Sequence, residues 1–176
     1  MYKLTEESLT TFEKWSSPTF QDVTNVFNKL NLSDEEIVLF LGLNIRTIRR
    51  WTSKKSNNRL EKSSIPYGIW CVLIALSENR LIFSNVQKRD ITRIPKEYIC
   101  SLVDFESPTK EILLSFVGKG SITGLHRKEL ANIFGWNPAY LGREFNKGNI
   151  NFLNWVLLLL LCGVSIEKLI KIKNTK

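Results

Sequence analysis

Residues 36–51 read EIVLFLGLNIRTIRRW, and the spacing of their apolar side chains predicts two short helices that cross at a steep angle. Helices in that arrangement need apolar residues at fixed points of contact, and the stretch supplies Ile37, Leu41, Leu43, Ile48 and Trp51. Gly42 stands between the two helical stretches, where the chain needs a residue that accepts a left-handed backbone. We therefore expect a tight turn at Gly42 that joins the first helix to the second.

The second helix is expected to begin at Asn44, because asparagine is a preferred N-cap residue. Its outward positions then hold polar side chains, three of them cationic: Arg46, Thr47, Arg49 and Arg50. With these residues in place, the segment resembles the helix-turn-helix of the Cro and lambda-repressor family of transcription regulators. Val38 stands where that family usually has a small residue, which is a mild departure from the pattern.

The resemblance implies an all-α fold and double-stranded DNA as the partner. In this family the N-terminal part of the second helix enters the major groove, where Arg and Asn side chains can read guanine and adenine edges. The residues implied in DNA contact are Asn44, Arg46, Thr47, Arg49 and Arg50. The polar loop that follows carries Lys54, Lys55, Arg59 and Lys62, which suit contacts to phosphates. Over residues 33–76 the pattern resembles small regulators of phages and other mobile genetic elements.

The sequence also repeats itself. A Ser-Pro-Thr triplet, a turn of the form Gly-x-Asn and a tryptophan-containing apolar stretch recur in the same order, at 17–19 and 107–109, 42–44 and 135–137, and 65–76 and 150–161. This order predicts two tandem helix-turn-helix units related by internal duplication, with a pseudo-two-fold relation between them. The expected units are residues 1–84 and 93–176, joined by a short polar connector at 85–92.

The second unit reads as a degenerate copy. Its second helix begins Asn137-Pro138, Gly142 falls in the middle of that helix at a cost of about 1 kcal/mol relative to alanine, and Glu144 stands where an apolar residue is expected. Phe145 is expected to take over that packing. The DNA contacts assigned to this unit are Asn137, Ala139, Tyr140, Arg143 and Lys147. Because cations are sparser here, we expect the first unit to dominate DNA affinity.

Three alternatives stay open for the function. The DNA-binding protein could be a plasmid replication, partition or excision accessory factor instead of a repressor. The second unit could be a purely structural partner of the first. It could also be a module for self-association or for a protein partner, which joint exposure of Trp136 and Tyr140 would support.

Local signals predict where several helices begin, with about five helices in each unit. Thr5 precedes two glutamates and is expected to cap a first helix, and Ser17 and Ser107, each before a proline, are expected to open a second. Ser33 and Glu36 have the spacing of a capping box that opens a third. Trp70 and Trp155 are expected in two equivalent cores.

Composition agrees with a nucleic-acid partner. The net charge is +8 and the pI near 9.5, a balance that favours polyanions. A single histidine, His126, leaves no zinc-finger spacing and no catalytic triad, so we expect no enzyme activity, no cofactor and no metal. The cysteines Cys71, Cys100 and Cys162 read as buried free thiols in a reducing compartment.

The expected location is the cytoplasm, at the nucleoid. The N-terminus lacks the apolar segment of a signal peptide. The apolar run at 152–164 is shorter than the about 20 residues needed to span a bilayer. We therefore interpret it as a buried core helix and expect no membrane partner.

Overall fold

The computed structural model describes residues 3–52 and 61–170, and these divide between two compact units, Met1–Phe83 and Ser84–Lys176. Regular structure in the described residues is helical, without strands, and includes one isolated bridge between Thr19 and Lys62. The expectation of an all-α fold is confirmed at this level. In the described residues each unit has two short 3-10 turns followed by four α-helices, where the sequence predicted about five helices.

The first unit has 3-10 turns at Glu6–Leu9 and Phe12–Lys14, and then four helices. These are α1 (Phe20–Leu30), α2 (Asp34–Leu41), α3 (Ile45–Thr52) and α4 (Tyr67–Glu78). Helix α4 forms the centre of the core, with eight of its twelve residues buried. Trp70 has no exposed surface, and its indole Nε1 donates to the Ser8 carbonyl at 2.7 Å, so the N-terminal turn is tied to the core helix.

The second unit has 3-10 turns at Lys96–Tyr98 and Leu102–Asp104, then four helices and a last 3-10 turn at Ile166–Lys168. The helices are α5 (Lys110–Leu114), α6 (Arg127–Phe134), α7 (Pro138–Lys147) and α8 (Phe152–Leu161). Trp155 on α8 is fully buried, and its indole Nε1 donates to the Tyr98 carbonyl at 2.7 Å. Both tryptophans therefore lie in cores, as expected.

Helix α8 is apolar except at Asn154, and its other nine residues are buried. The expectation of a buried core helix is confirmed. Among the helices that the structure describes, none has the length and the apolar character needed to cross a membrane.

The segment expected as a connector has fixed partners within the second unit. The Gln87 backbone N–H donates to the Leu161 carbonyl at 3.3 Å, and Arg89 Nη1 donates to the same oxygen at 2.6 Å. The Arg89 backbone N–H donates to the Cys162 carbonyl at 3.2 Å. These bonds satisfy carbonyls at the end of α8 that have no partner within the helix.

A helical turn does begin after Thr5, as expected, but it is a short 3-10 turn, and the expected side-chain cap is wrong. The Thr5 side chain does not cap this turn; its Oγ1 donates to Asp22 Oδ2 at 3.0 Å. The carboxylate of Asp22 is fully buried and also accepts from the Thr19 backbone N–H at 2.8 Å. A contact between distant residues therefore uses the group that was expected to start a helix.

The expected starts of the second helices are also wrong by two residues. Helix α1 begins after Thr19, whose side chain and Asp22 form a capping box, and α5 begins after Thr109. Ser17 instead donates its hydroxyl to a backbone carbonyl, that of Ser63. Ser107 likewise donates to the Gly148 carbonyl at 3.2 Å. Both serines join the chain before the first full helix to the segment that leads into the core helix.

Two of the three cysteines are buried as expected, and the third is not. Burial raises the pKa of the Cys71 thiol to about 12 and that of Cys162 to about 11. Both thiols are therefore protonated and unreactive at neutral pH. Cys100 is only half-buried, because it follows a 3-10 turn at the surface of the second unit, and its Sγ lies 3.6 Å from the Asp104 carbonyl.

Candidate nucleic-acid interface

The turn between α2 and α3 has the predicted geometry. Gly42 adopts the left-handed conformation with a φ of 62°, and its N–H donates to the Val38 carbonyl at 2.9 Å. The Leu43 N–H donates to the same carbonyl at 3.3 Å, which closes the end of α2. The predicted capping box at the start of α2 is also confirmed, since Ser33 accepts from the Glu36 N–H and the Glu36 carboxylate accepts from Ser33 N.

Helix α3 is held from both its start and its inner face. Asn44 Oδ1 accepts from the Arg46 N–H at 2.8 Å, so asparagine caps the helix as predicted. On the inner face Ile48 and Trp51 are at most 1% exposed. Because the cap and the buried side chains fix the rotation of α3, its outer face has a defined set of residues.

That outer face is cationic. Arg46, Arg49 and Arg50 are exposed, and Thr47 is half-buried. Arg49 Nε lies 3.9 Å from Asp34 Oδ2, a long and exposed ion pair of the kind that contributes little to stability. Arg46 and Arg50 have no ion pair with any residue in the described parts of the chain. These cations thus remain available for an anionic ligand.

The start of α2 has the opposite charge, a feature that sequence reasoning used only as a helix-start signal. Asp34, Glu35 and Glu36 form its first turn. Hydrogen bonds from Ser33 hold the pKa of the Glu36 carboxyl below its usual value. The acidic start of α2 thus lies beside the cationic face of α3, with Asp34 Oδ2 3.9 Å from Arg49 Nε.

Three of the predicted phosphate contacts, Lys54, Lys55 and Arg59, lie outside the described residues. Lys62, from the same basic stretch, is exposed and forms the bridge with Thr19.

The corresponding turn in the second unit is built in the same way. Gly135 is left-handed with a φ of 68°, and its N–H donates to the carbonyl of the fully buried Ala131. The Trp136 N–H donates to the same carbonyl at 2.8 Å. Asn137 then caps α7, its Oδ1 accepting from the N–H groups of Ala139 and Tyr140 at 2.9 and 3.1 Å.

The outer face of α7 differs from that of α3. Ala139, Tyr140, Arg143 and Lys147 are exposed. Arg143 Nε lies 3.2 Å from Glu144 Oε1, and its guanidinium carbon lies 5.4 Å from the centre of the Tyr140 ring. The Arg143 hydrogen bond is the main reason that the pKa of Glu144 is lowered. The cation in the middle of this helix thus lies closer to an acid than Arg49 does on α3, although this ion pair is also exposed.

The mid-helix glycine has a packing reason that the sequence did not reveal. A Cβ at Gly142 would lie 2.7 Å from Nη1 of Arg127, the first residue of α6. The missing side chain thus leaves room for a guanidinium supplied by the neighbouring helix. Arg127 Nε is shielded from solvent and has no hydrogen-bond partner within the described segments. As predicted, Phe145 is fully buried and fills the core.

The two aromatic residues that could support a protein-binding module are not exposed together. Tyr140 is 43% exposed. Trp136 is half-buried, and its ring lies 4.6 Å from that of the buried Phe134. The geometry leaves Tyr140 as the one aromatic side chain of this pair available to a ligand.

The second unit also carries most of the excess positive charge. Residues 84–176 contain fourteen Lys and Arg against eight Asp and Glu, whereas residues 1–83 contain eleven against nine. Fewer cations on α7 therefore do not mean a less basic unit.

Comparisons with protein-family models, with curated proteins and with solved structures return no match for this chain.

Proposed function

We propose that this chain is a sequence-specific double-stranded DNA-binding transcription regulator of the repressor type. On this proposal it places two helix-turn-helix units of one polypeptide on an operator and acts in the cytoplasm, at the nucleoid. Repression follows most simply from occupancy, because a protein bound to the operator can exclude polymerase without any further activity.

The observation that carries the proposal is the outer face of α3. A capped and core-packed helix, entered through a left-handed glycine, presents Arg46, Arg49 and Arg50 to solvent. Guanidinium groups match the paired acceptors of guanine in the major groove, which is wide enough to admit an α-helix. In a merely basic protein the arginines could lie on any solvated helix, without this turn. In a helix-turn-helix the turn presents the N-terminal end of the second helix to the major groove.

We also propose that the two units arose by duplication. Supporting this, Trp70 and Trp155 hold equivalent positions on the core helices, and their indoles donate to carbonyls near the ends of equivalent N-terminal 3-10 turns, those of Ser8 and Tyr98. Both turns at the interface close on a single carbonyl, that of Val38 or Ala131. Two unrelated helical units would not be expected to share both the order of their elements and these long-range hydrogen bonds.

The experiment is selection of bound sequences from random duplex DNA with the full chain, followed by fluorescence anisotropy on the selected site at fixed salt. Arg46→Ala is expected to lose about 1–3 kcal/mol of affinity for the selected site, the range for a base contact by one arginine. Arg80→Ala removes an exposed arginine of the same unit outside α3 and is the matched control. A selection that enriches no duplex sequence, or equal losses in the two variants, would contradict the proposal.

A further inference from the structure

The faces of α3 and α7 can be compared position by position, because an asparagine caps each helix. Two residues after the cap stands Arg46 in α3 and Ala139 in α7. The next position holds Thr47 or Tyr140. In a helix-turn-helix this first turn approaches the base edges most closely. Two residues after the cap, the second unit thus presents the methyl group of Ala139 where the first unit presents the guanidinium of Arg46.

The following turn shows the same change. Five residues after the cap, Arg49 is replaced by Gly142, whose open space is filled by the Arg127 guanidinium from α6. Six residues after it, Arg50 and Arg143 are both arginines, but Arg143 Nε lies 3.2 Å from Glu144 Oε1 and its guanidinium carbon lies over the Tyr140 ring at 5.4 Å. The second unit therefore has cations at the start of α6, beside the exposed face of α7, and fewer cations on that face itself.

These two surfaces suit different bases. A guanidinium matches the O6 and N7 acceptors of guanine, whereas an apolar side chain matches the C5 methyl group of thymine. Ala139 is exposed, Tyr140 is 43% exposed, and the guanidinium carbon of Arg143 lies 5.4 Å from the centre of the Tyr140 ring. The Ala139 methyl group has no donor for guanine, and the Tyr140 ring can cover a thymine methyl. The Tyr140 hydroxyl is the one hydrogen-bond donor that these two side chains offer.

We infer that the two units read chemically different half-sites, with α3 on guanine-containing sequence and α7 on thymine methyl groups. This inference rests on the proposed DNA-binding function and specifies its ligand. Arg127 and Lys128, in the first turn of α6, supply the phosphate contacts of the second half-site: the Arg127 guanidinium lies beside Gly142 of α7, and Lys128 is exposed. The bound operator is then bipartite and asymmetric, with one G·C-containing half and one A·T-rich half.

The test uses the full chain and the duplex obtained by selection. Uracil differs from thymine only in lacking the C5 methyl, and 7-deazaguanine lacks the N7 acceptor. Uracil in the A·T-rich half is expected to weaken binding by about threefold to fourfold per contacted thymine, the effect of exposing one methyl-sized group. Substitution of 7-deazaguanine in the other half is expected to weaken binding by about tenfold, the effect of losing part of a bidentate contact.

Two variants at one exposed position assign the methyl contact to α7. Tyr140→Phe keeps the ring and should retain the preference for thymine over uracil. Tyr140→Ala removes the ring and should reduce that preference, while leaving the effect of 7-deazaguanine in the other half unchanged. Circular dichroism of both variants checks that the fold is retained.

The outcomes separate the inference from the function on which it rests. If duplex DNA is bound specifically but uracil has no effect, or Tyr140→Ala leaves the thymine preference intact, the half-site assignment is overturned and DNA binding stands. If both halves are guanine-dependent, the assignment is overturned in the same way. If no duplex sequence is selected, the proposed function fails and the half-sites fail with it.

Discussion

At the scale of single residues, the two units place an arginine differently at the junction of two neighbouring helices. Arg49 lies on α3 and faces Asp34 at the start of α2, at 3.9 Å. In the second unit Gly142 stands at the matching position of α7, and the arginine, Arg127, stands at the start of α6. Both junctions thus hold a guanidinium, supplied by the second helix in one unit and by the first helix in the other.

This packing predicts a conditional effect of alanine at position 142. Alanine in a helix interior is favoured over glycine by about 1 kcal/mol. In Gly142→Ala the new Cβ must displace the Arg127 guanidinium, which is flexible enough to move. The gain in unfolding free energy should therefore be smaller in the wild-type background than in Arg127→Ala, as measured by urea denaturation of the four variants. Equal gains in the two backgrounds would show that the guanidinium does not depend on the glycine.

At the scale of helices, the parts that the sequence predicted correctly are those set by neighbouring residues. The capping box of Ser33 and Glu36, the left-handed Gly42 and the Asn137 cap each depend on groups within a few residues of one another. The first turn was predicted wrongly because the Thr5 hydroxyl binds Asp22, seventeen residues away. No local pattern contains that partner.

In the candidate site, too, the features set by neighbouring residues could be predicted from the sequence and those set by distant residues could not. The cationic positions of α3 follow from helical spacing alone. The meaning of Gly142 could not be read from the sequence, because Arg127 reaches it from another helix. The contacts of Arg143 with Glu144 and Tyr140 depend on side-chain rotamers. The sequence spacing shows only that these residues are close enough to touch.

The capping box of α2 predicts a pH dependence. Hydrogen bonds from Ser33 lower the pKa of Glu36 in the folded chain. The charged carboxylate therefore stabilises the fold above the ordinary glutamate pKa, and this contribution is lost as the pH falls through the lowered folded value. Glu36→Gln keeps an acceptor for Ser33 but cannot titrate. Wild type should be more stable than Glu36→Gln at neutral pH, and the difference should shrink in acid, as followed by denaturation at several pH values; a difference independent of pH would contradict the prediction.

At the scale of the whole chain, the expectation that the first unit dominates DNA affinity stays a prediction, and on the proposed function the distribution of charge divides it into a non-specific and a specific part. The second unit has the larger excess of Lys and Arg, although its recognition helix has the smaller share. Because non-specific affinity depends on phosphate neutralisation, both units should contribute to the salt-dependent part of binding. The arginines of α3 should matter mainly for sequence discrimination.

Salt titration measures this division. Arg127→Ala and Lys128→Ala should each reduce the slope of log affinity against log salt by up to about 0.9, the value for one phosphate contact. They should weaken binding to selected and unrelated duplexes alike, since phosphate contacts carry no sequence information. Lys119→Ala, an exposed lysine in the turn before α6, is the control and should leave the slope unchanged. A change with Lys119→Ala as large as with the other two would mean that total charge alone sets the slope.

The hydrogen bond between the Trp70 indole and the Ser8 carbonyl has a consequence for the order in which the chain is made. It joins residues 62 positions apart, and the helix that carries Trp70 is the last helix of its unit. During synthesis α3, the helix that we propose binds DNA, therefore leaves the ribosome before α4. Because α3 packs on α1 and α1 packs on α4, a nascent chain that ends before Tyr67 lacks part of this support, so on the proposed function the first unit can bind DNA only after α4 has emerged.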